Sequence, residues 1–454
     1  MTDPRTTLRE GPMTLFQVVV IVICTILNTV DGFDVLAMSF TAPLVQREWN
    51  LDPQTLGMLL SAGLAGMCLG SLFLSPIADL YGRRAVVILA TILVSLGMFA
   101  AGMAGGVTEL ALSRLVTGIG VGGLLASGNT LLSEYAPSRW RDLSISAMVV
   151  GYSVGAIVGG SISAYLIQEF GWRAAFFFGG AVSTALLPFC LLYLPESLDF
   201  ILSGKTRNAL ARVNVVMRRL GRPEVAALPE PAREDAATRA VLGVFDAKFR
   251  PGTVRICLSF FMLMLSFYFV LSWTPKNLVD LGFSVEQGIL GSVLLNLGGI
   301  IGGLTFGYLA SRANSRKLSS AMLVVLFFAI IAYGALKMGI VPVMTGAFVA
   351  GFFMIGSMAS LYAIVPAIYP PRVRNTGTGL AIGLGRLGGV VGPYLGGLLI
   401  AAGWQRVAYY SVLAIPVLIS AIAVRRIALF GERVESESGA PLWSQGEPKL
   451  HTTD

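Results

Sequence analysis

Charged residues are scarce in this chain. Of its 454 residues only 13% are Asp, Glu, Lys or Arg, whereas soluble domains average about 25%. Hydrophobic residues make up 55% of the sequence, and the mean hydropathy is +0.75. So few charges cannot cover a water-facing surface, which excludes the soluble globular class. Apolar runs of about 20 residues recur along the chain and indicate many transmembrane helices.

Histidine and the motifs of enzymes are almost absent as well. The single histidine, His451, lies in the polar tail, so a histidine proton relay is excluded and carboxylates are left for that work. The four cysteines have no metal-type spacing and are interpreted as buried thiols. The glycine run at 118–123 lacks the Gly-Lys-Ser/Thr ending of a nucleotide site. We therefore expect no enzyme, no metal site and no cofactor, with an ion gradient as the energy source.

Twelve long apolar segments fall into two groups of six, and the two groups repeat each other. Gly171-Trp172 recurs as Gly403-Trp404, an offset of 232 residues, and the loop at 75–84 aligns with 307–316 at the same offset. A shared offset indicates a duplicated unit. The sequence therefore predicts an all-α membrane protein of twelve transmembrane helices in two six-helix halves related by a pseudo-two-fold axis.

Polar stretches and basic loops set the predicted domain limits and orientation. The predicted parts are an N-terminal half at 1–194, a cytoplasmic linker at 195–252, a C-terminal half at 253–430 and a cytoplasmic polar tail at 431–454. Lys and Arg concentrate in the linker and in loops on the side of the termini, which accounts for the net charge of +8. We expect a multi-pass protein of a bacterial inner membrane that works as a monomer, has cytoplasmic termini and binds no nucleic acid.

The first apolar segment contains two carboxylates three residues apart, Asp31 and Asp34. A charged residue at mid-membrane depth costs at least about 2.5–3.5 kcal/mol, so such residues face a cavity, a partner or a proton path. Removal from water and a second nearby carboxylate both favour the protonated form of one of them. The pair is predicted to couple transport to protons, and the pattern does not say which carboxylate takes the proton.

One arginine lies inside a predicted span in each half, Arg114 and Arg386. A guanidinium matches a carboxylate with two parallel hydrogen bonds. One arginine is expected to bind a substrate carboxylate while the other pairs with Asp31 or Asp34, and a fixed structural ion pair is the alternative. Aromatic and amide residues on possible cavity faces are further candidates for substrate contact, the alternative being a position at the lipid interface: Phe33, Asn129, Tyr152, Tyr268, Trp273, Asn296, Tyr362 and Tyr394.

A charged loop after the second span predicts a gate. Asp79 stands beside Gly82, Arg83 and Arg84, and Glu134 closes the fourth span. An acidic residue adds little to the positive-inside signal. We therefore expect Asp79, with Glu134, to latch one conformation of the two halves. The alternative is that the loop only fixes the topology.

Three short motifs resemble those of a known family. The loop at 79–84, Asp-x-x-Gly-Arg-Arg, is similar to the signature of the major facilitator superfamily, and 194–197, Leu-Pro-Glu-Ser, is similar to a pattern of its sugar and organic-acid porters. The run at 31–34, Asp-Gly-Phe-Asp, resembles the first-span motif of the aromatic acid:proton symporters. In the second copy of the loop, Ser311 stands where Asp is usual.

The resemblance and the buried charges together imply a proton-coupled symporter. The expected substrate is an organic anion, an aromatic carboxylate of the benzoate type. Two alternatives keep the same fold: a proton-driven exporter of drugs or metabolites, and an importer of a non-aromatic acid or sugar-like solute. A sensor or scaffold built on a transporter body would need a larger soluble domain than the linker offers.

Overall fold

The computed structural model describes residues 4–202, 208–228, 245–246, 248–310, 315–336, 339–369 and 373–427. Regular secondary structure within these ranges is entirely helical. The predicted polar tail at 431–454, Ser311 and much of the predicted linker lie outside the described residues.

Twelve of the helices are long and apolar enough to cross a membrane, which confirms the predicted number of spans. The N-terminal half contains α1 (Pro4–Glu10), α2 (Leu15–Trp49), α3 (Pro53–Tyr81), α4 (Arg83–Met103), α5 (Val107–Tyr135), α6 (Arg141–Phe170) and α7 (Arg173–Tyr193). Two short helices follow, α8 (Leu198–Leu202) and α9 (Ala209–Arg219). The C-terminal half contains α10 (Arg250–Asp280), α11 (Val285–Ala310), α12 (Ser315–Ala335), α13 (Ile340–Ile368), α14 (Arg374–Ala401) and α15 (Arg406–Arg425).

Local sequence explains where several of these helices begin and end. The Thr14 hydroxyl accepts the backbone N–H of Gln17, and the Gln17 side-chain oxygen accepts the backbone N–H of Thr14. This reciprocal pair is a capping box at the beginning of α2. The Asp52 carboxylate caps α3 by accepting the backbone N–H groups of Gln54 and Thr55. Gly171 and Gly403 follow α6 and α14 with φ of +81° and +77°, a conformation that favours glycine. The repeat therefore includes its helix stops.

The two halves contact each other mainly through α3 with α14, α6 with α11 and α2 with α10. We call the end of the bundle with the α2–α3 loop the distal face, and the end with α1, α8 and the end of α15 the terminal face. Near the distal face, a Cβ on Gly397 of α14 would lie 2.5 Å from the carbonyl oxygen of Pro53. Gln54 also donates to the Tyr394 hydroxyl at 3.4 Å. The halves are therefore in close contact at the distal face.

Glycines nearer the terminal face have fewer neighbours. Gly379 and Gly383 lie on the side of α14 that also carries Arg386, and a Cβ on either glycine would meet nothing within 4 Å. On α11, Gly307 near the terminal face likewise has no neighbour within 4 Å, whereas Val293 of α11 packs against Gly160 nearer the distal face. Among the described residues, the close approaches between the halves noted here thus lie toward the distal face, and these three glycines nearer the terminal face have no neighbour within 4 Å.

Candidate functional site

A buried ion pair joins α2 to α5 in the N-terminal half. Arg114 Nη1 lies 2.8 Å from Asp34 Oδ1, and Arg114 Nη2 donates to Asp34 Oδ2 at 3.2 Å and to the Asp34 carbonyl at 2.9 Å. Both side chains are 2% exposed. The guanidinium therefore binds the carboxylate with two parallel bonds, the strong arrangement of this pair.

Packing around Arg114 leaves its guanidinium little freedom. A Cβ on Gly63 of α3 would lie 3.3 Å from Arg114 Nη2, so only glycine gives the guanidinium its full room there. The Phe176 ring lies 5.8 Å from the guanidinium carbon, and Met98 Sδ accepts from Nη1 at 3.5 Å. Four helices of one half, α3, α4, α5 and α7, thus help to hold the cation against Asp34 on α2.

Asp31 lies one turn before Asp34 on α2 and has very different surroundings. Its side chain is 2% exposed, and neither carboxylate oxygen has a hydrogen-bond partner among the residues that the structure describes. The charged groups that act on it electrostatically are Asp34 and Arg386. The sequence did not distinguish the two carboxylates, whereas the structure gives one of them an ion pair and leaves the other without hydrogen bonds.

Arg386 reaches this region from the C-terminal half. It is half-buried on α14, and its Nη1 donates to the Ser71 hydroxyl of α3 at 3.2 Å. Tyr152 of α6 and Tyr268 of α10 interact with each other and with Asp31. The structure therefore brings residues of both halves together around Asp31.

Other predicted contact residues occupy varied positions. Tyr362 is 38% exposed, packs edge-on against Phe260 and lies within electrostatic range of Arg386. Trp273 is buried, and its indole N–H donates to the carbonyl of Pro393 at 2.9 Å. This hydrogen bond joins α10 to α14 and uses the only polar atom of the Trp273 side chain.

Asn296, Asn129 and Phe33 do not join the cluster around Asp31. The Asn296 amide donates to the Ser292 carbonyl of its own helix, and Asn129 is exposed on α5. Phe33 is buried on α2 with its ring edge-on to Phe178. The amide and aromatic residues therefore do not form one site, although sequence reasoning grouped them.

The predicted gate lies at the terminal face of the N-terminal half. Arg83 and Asp79 form an ion pair at 2.7 Å across the end of α3, with Asp79 largely exposed. Gly82 between them has a φ of +101°, and a Cβ there would lie 2.2 Å from Glu196 Oε2. The Arg84 guanidinium donates a hydrogen bond from Nη2 to the Leu191 carbonyl at 2.6 Å.

Glu196 is a member of this network that the sequence reasoning did not assign. Its carboxylate accepts the backbone N–H groups of Arg84 at 3.1 Å and Ser197 at 2.8 Å. The Ser197 hydroxyl in turn donates to Glu134 at 2.6 Å. The signal was present in the Pro-Glu-Ser motif at 195–197. Its acidic residue caps the beginning of α4, where the helix dipole favours negative charge.

The described residues contain no group of three or more His, Cys, Asp or Glu that could hold a metal ion. The charged and titratable side chains described above are two carboxylates, two guanidinium groups and phenols from both halves.

A family model settles what kind of protein carries this arrangement. The model of the Major Facilitator Superfamily matches residues 24–339 and 256–451. The chain belongs to the major facilitator superfamily. The family resemblance and the twelve-helix fold expected from the sequence are both confirmed.

Curated relatives within the superfamily are transporters. A gallate transporter of Pseudomonas putida is 32% identical and covers 93% of this chain and 94% of its own length. The 4-hydroxybenzoate transporter PcaK of Acinetobacter baylyi is 31% identical, with 93% of each chain covered. Among solved structures, the inward-open xylose transporter XylE of Escherichia coli has a TM-score of 0.71 at 15% identity, covering 91% of this chain and 96% of XylE. This superfamily member is therefore a multi-pass membrane transporter and not an enzyme.

Proposed function

We propose that this chain takes up an aromatic carboxylate together with protons across a bacterial inner membrane. The observation that carries the proposal is Asp31, a buried carboxylate without hydrogen bonds that lies between an ion-paired neighbour and the arginine of the opposite half. An isolated buried carboxylate is stable only when it is neutralised. Proton binding is the neutralisation that transport can use and reverse.

The two carboxylates of α2 then have separate tasks. Asp34 is held by two hydrogen bonds from Arg114, and pairing with a cation favours its charged form. Asp31 has no such partner and is the group that takes and releases the proton. Asp34 supports this step because its negative charge, one helix turn away, makes a second charge on Asp31 less favourable.

Arg386 supplies the positive charge for the substrate. Its side chain is half-buried, and within the described part of the chain its one side-chain hydrogen bond is to the neutral Ser71 hydroxyl, so no described carboxylate pairs with it at bonding distance. The phenols of Tyr152, Tyr268 and Tyr362 lie near it and offer ring contacts and hydrogen bonds. The relatives named for gallate and 4-hydroxybenzoate transport support a substrate with a carboxylate on an aromatic ring.

Alternating access is the mechanism that we propose, and the close contact of the halves at the distal face supports it. With the basic linker and termini in the cytoplasm, as the positive-inside rule favours, contact at the distal face corresponds to an inward-facing state. In the outward-facing state Asp31 takes up a proton and Arg386 binds the substrate carboxylate. The halves rock, and both are released inside. One chain carries out the cycle without a cofactor, and the proton gradient supplies the energy.

Asp31→Asn tests the central step. The amide keeps the shape of a protonated carboxyl but cannot release a proton. In proteoliposomes with an imposed pH gradient, we expect accumulation of labelled 4-hydroxybenzoate to fall at least tenfold. Exchange of labelled for unlabelled substrate, which needs no net proton movement, is expected to continue. Asp52→Asn, a change in an exposed carboxylate on the distal loop, serves as the matched control.

Two outcomes would contradict the proposal. Gradient-driven accumulation by Asp31→Asn at the wild-type level would remove Asp31 from coupling. Equal competition by benzamide and benzoate in the wild-type protein would remove the carboxylate, and with it Arg386, from recognition. Substrate movement only out of vesicles, against the proton gradient, would favour the exporter.

A further inference from the structure

Asp31 also lines a small cavity inside the N-terminal half. The cavity lies between α2, α4, α5 and α7 and is close in size to one water molecule. Its lining consists of Leu and Val side chains apart from three polar residues, Asp31, Thr91 and Ser183. All the lining residues belong to one half, so the cavity is distinct from the space between the halves.

Ser183 of α7 belongs to a minority among the serines and threonines of these helices. Most of them donate to the carbonyl of the preceding turn, as Thr91 does to Val87 at 2.8 Å and Ser95 does to Thr91 at 2.9 Å. Ser183 is 1% exposed, and its hydroxyl has no hydrogen-bond partner. Two buried polar groups without hydrogen bonds, the Asp31 carboxylate and the Ser183 hydroxyl, thus line one cavity. Buried polar groups are rarely left in that condition unless water joins them.

We propose that this cavity binds a water molecule that connects Asp31 to Ser183 and Thr91, and that Ser183 positions this water for the proton on Asp31. The inference rests on the proposed function, in which Asp31 is the coupling carboxylate. The water accepts the Ser183 hydrogen and donates to the Asp31 carboxylate and to the Thr91 oxygen, whose own hydrogen is given to Val87. Three hydrogen bonds are usual for a buried water.

The same water serves both forms of Asp31. A hydroxyl rotates to suit its neighbours, so when Asp31 is protonated its O–H donates to the water, and the water donates to Ser183 and Thr91. The charged and titratable groups that face Asp31 from other positions are Asp34, Arg386, Tyr152 and Tyr268.

A hydrogen bond stabilises a charged carboxylate more than a neutral acid. The water and Ser183 therefore lower the pH at which Asp31 releases its proton, and they give that proton a neutral partner on the side away from Arg386. Ser183 acts through the water rather than on the substrate, so it is a positioning residue.

Ser183→Ala is the test, measured as the pH dependence of 4-hydroxybenzoate uptake in proteoliposomes. Loss of the hydroxyl disfavours the charged carboxylate, so the half-maximal pH of uptake is expected to move upward by about half to one unit. Thr91→Val, which removes the other hydroxyl without changing the volume, is expected to move it in the same direction. Ser183→Thr keeps a hydroxyl and is expected to restore the wild-type profile.

Ser163→Ala is the matched control, because Ser163 is also fully buried with no hydrogen-bond partner but does not line the cavity. The midpoint comes from the ratio of rates across pH within one preparation, so a lower yield of folded protein does not alter it. Superimposable profiles for Ser183→Ala, Thr91→Val and the wild type would overturn the water site while proton-driven uptake stands. A wild-type protein without proton-driven uptake would instead overturn the proposed function.

Discussion

The two halves of this transporter share their packing but not their charges. In the N-terminal half a Cβ on Gly66 of α3 would lie 2.2 Å from the Leu115 carbonyl of α5. In the C-terminal half a Cβ on Gly298 of α11 would lie 2.1 Å from the Phe348 carbonyl of α13. The helices at equivalent places thus approach each other through the same backbone contact, which small residues allow in membranes.

The charged residues have no such counterparts. A Cβ on Gly118 would meet the carbonyl of Gly63, and a Cβ on Gly351 would meet the carbonyl of Leu295, so Gly351 is the counterpart of Gly118. Arg114 lies four residues before Gly118, whereas Ala347 lies four residues before Gly351.

On α10, the positions that match Asp31 and Asp34 at the repeat offset are Leu263 and Ser266. Ser266 is buried and donates to the Leu413 carbonyl at 2.6 Å. Duplication has therefore kept the scaffold of the C-terminal half while the ion pair belongs to the N-terminal half alone.

The difference teaches how the two tasks proposed for this transporter are separated. Packing glycines tolerate few substitutions in either half, because a side chain would meet backbone. Charges in lipid are retained only where they act. The carboxylate proposed for coupling and its ion-paired neighbour lie in one half, and the arginine proposed to bind substrate lies in the other. Movement of the halves would therefore change the distance between the proposed proton and substrate sites.

The largest effect is expected from breaking the ion pair that only one half contains. Arg114→Met leaves Asp34 buried without a cation, and removing one partner of a buried pair costs about 3–5 kcal/mol. We expect most of the protein to aggregate on extraction into mild detergent, as measured by size-exclusion chromatography. The double variant Asp34→Asn with Arg114→Met leaves no unpaired charge and is expected to recover much of the monodisperse protein.

That double variant also makes the N-terminal half resemble the C-terminal half, which has uncharged residues at the positions corresponding to Asp34 and Arg114. Poorer recovery of the double variant than of Arg114→Met would mean that the pair is required for packing beyond its charge balance. Proton-driven uptake is expected to stay lost in both.

How far the sequence predicts this arrangement depends on the kind of interaction. Hydropathy and the repeat predict twelve helices in two halves, because burial in lipid needs long apolar segments wherever they pack. The same signal missed the length of the first helix. The apolar run alone predicts a first span at about 15–38, yet α2 continues through Pro43 to Trp49. Hydropathy alone treats a proline as a break. In a membrane helix a proline is tolerated because neighbouring groups satisfy the backbone polar atoms that it leaves without a helical partner.

The site was predictable as a set of residues but not as a set of pairs. Buried charge identified Asp31, Asp34, Arg114 and Arg386, because each is expensive in lipid. Which arginine meets which carboxylate depends on how α5 packs against α2, and helical spacing on one helix contains no information about that. Ser183 gave no signal at all, since an isolated serine in an apolar helix usually bonds to its own backbone.

A medium effect is expected from the glycines that both halves share. Gly66→Ala and Gly298→Ala each place a methyl group against a backbone carbonyl, and overpacking of this kind costs about 1–3 kcal/mol. We expect both to lower the melting temperature in detergent by similar amounts. Gly307→Ala, at a helical glycine with nothing within 4 Å, is the control and is expected to leave it unchanged. A large drop for one half alone would show that the halves do not share their packing.

The smallest effect on stability is expected at the terminal face, where the repeat is already broken in sequence. Asp79→Ser gives the first loop the residue that stands at the equivalent position, Ser311, in the second. Asp79 is largely exposed and pairs with Arg83 within one turn of chain, so the change is expected to cost under about 1 kcal/mol. Melting temperature in detergent should hardly move, whereas the uptake rate falls if Asp79 latches one conformation.

Ser311→Asp is the reciprocal change and sharpens the comparison between the halves. If the latch needs a carboxylate only beside the N-terminal half, Ser311→Asp does not rescue Asp79→Ser, and the uptake rate of the double variant matches that of the single one. If either loop can supply the carboxylate, the double variant regains the wild-type rate, and the two halves are equivalent at the gate although they differ at the ion pair. An unchanged rate in Asp79→Ser would leave the loop with the topological role alone.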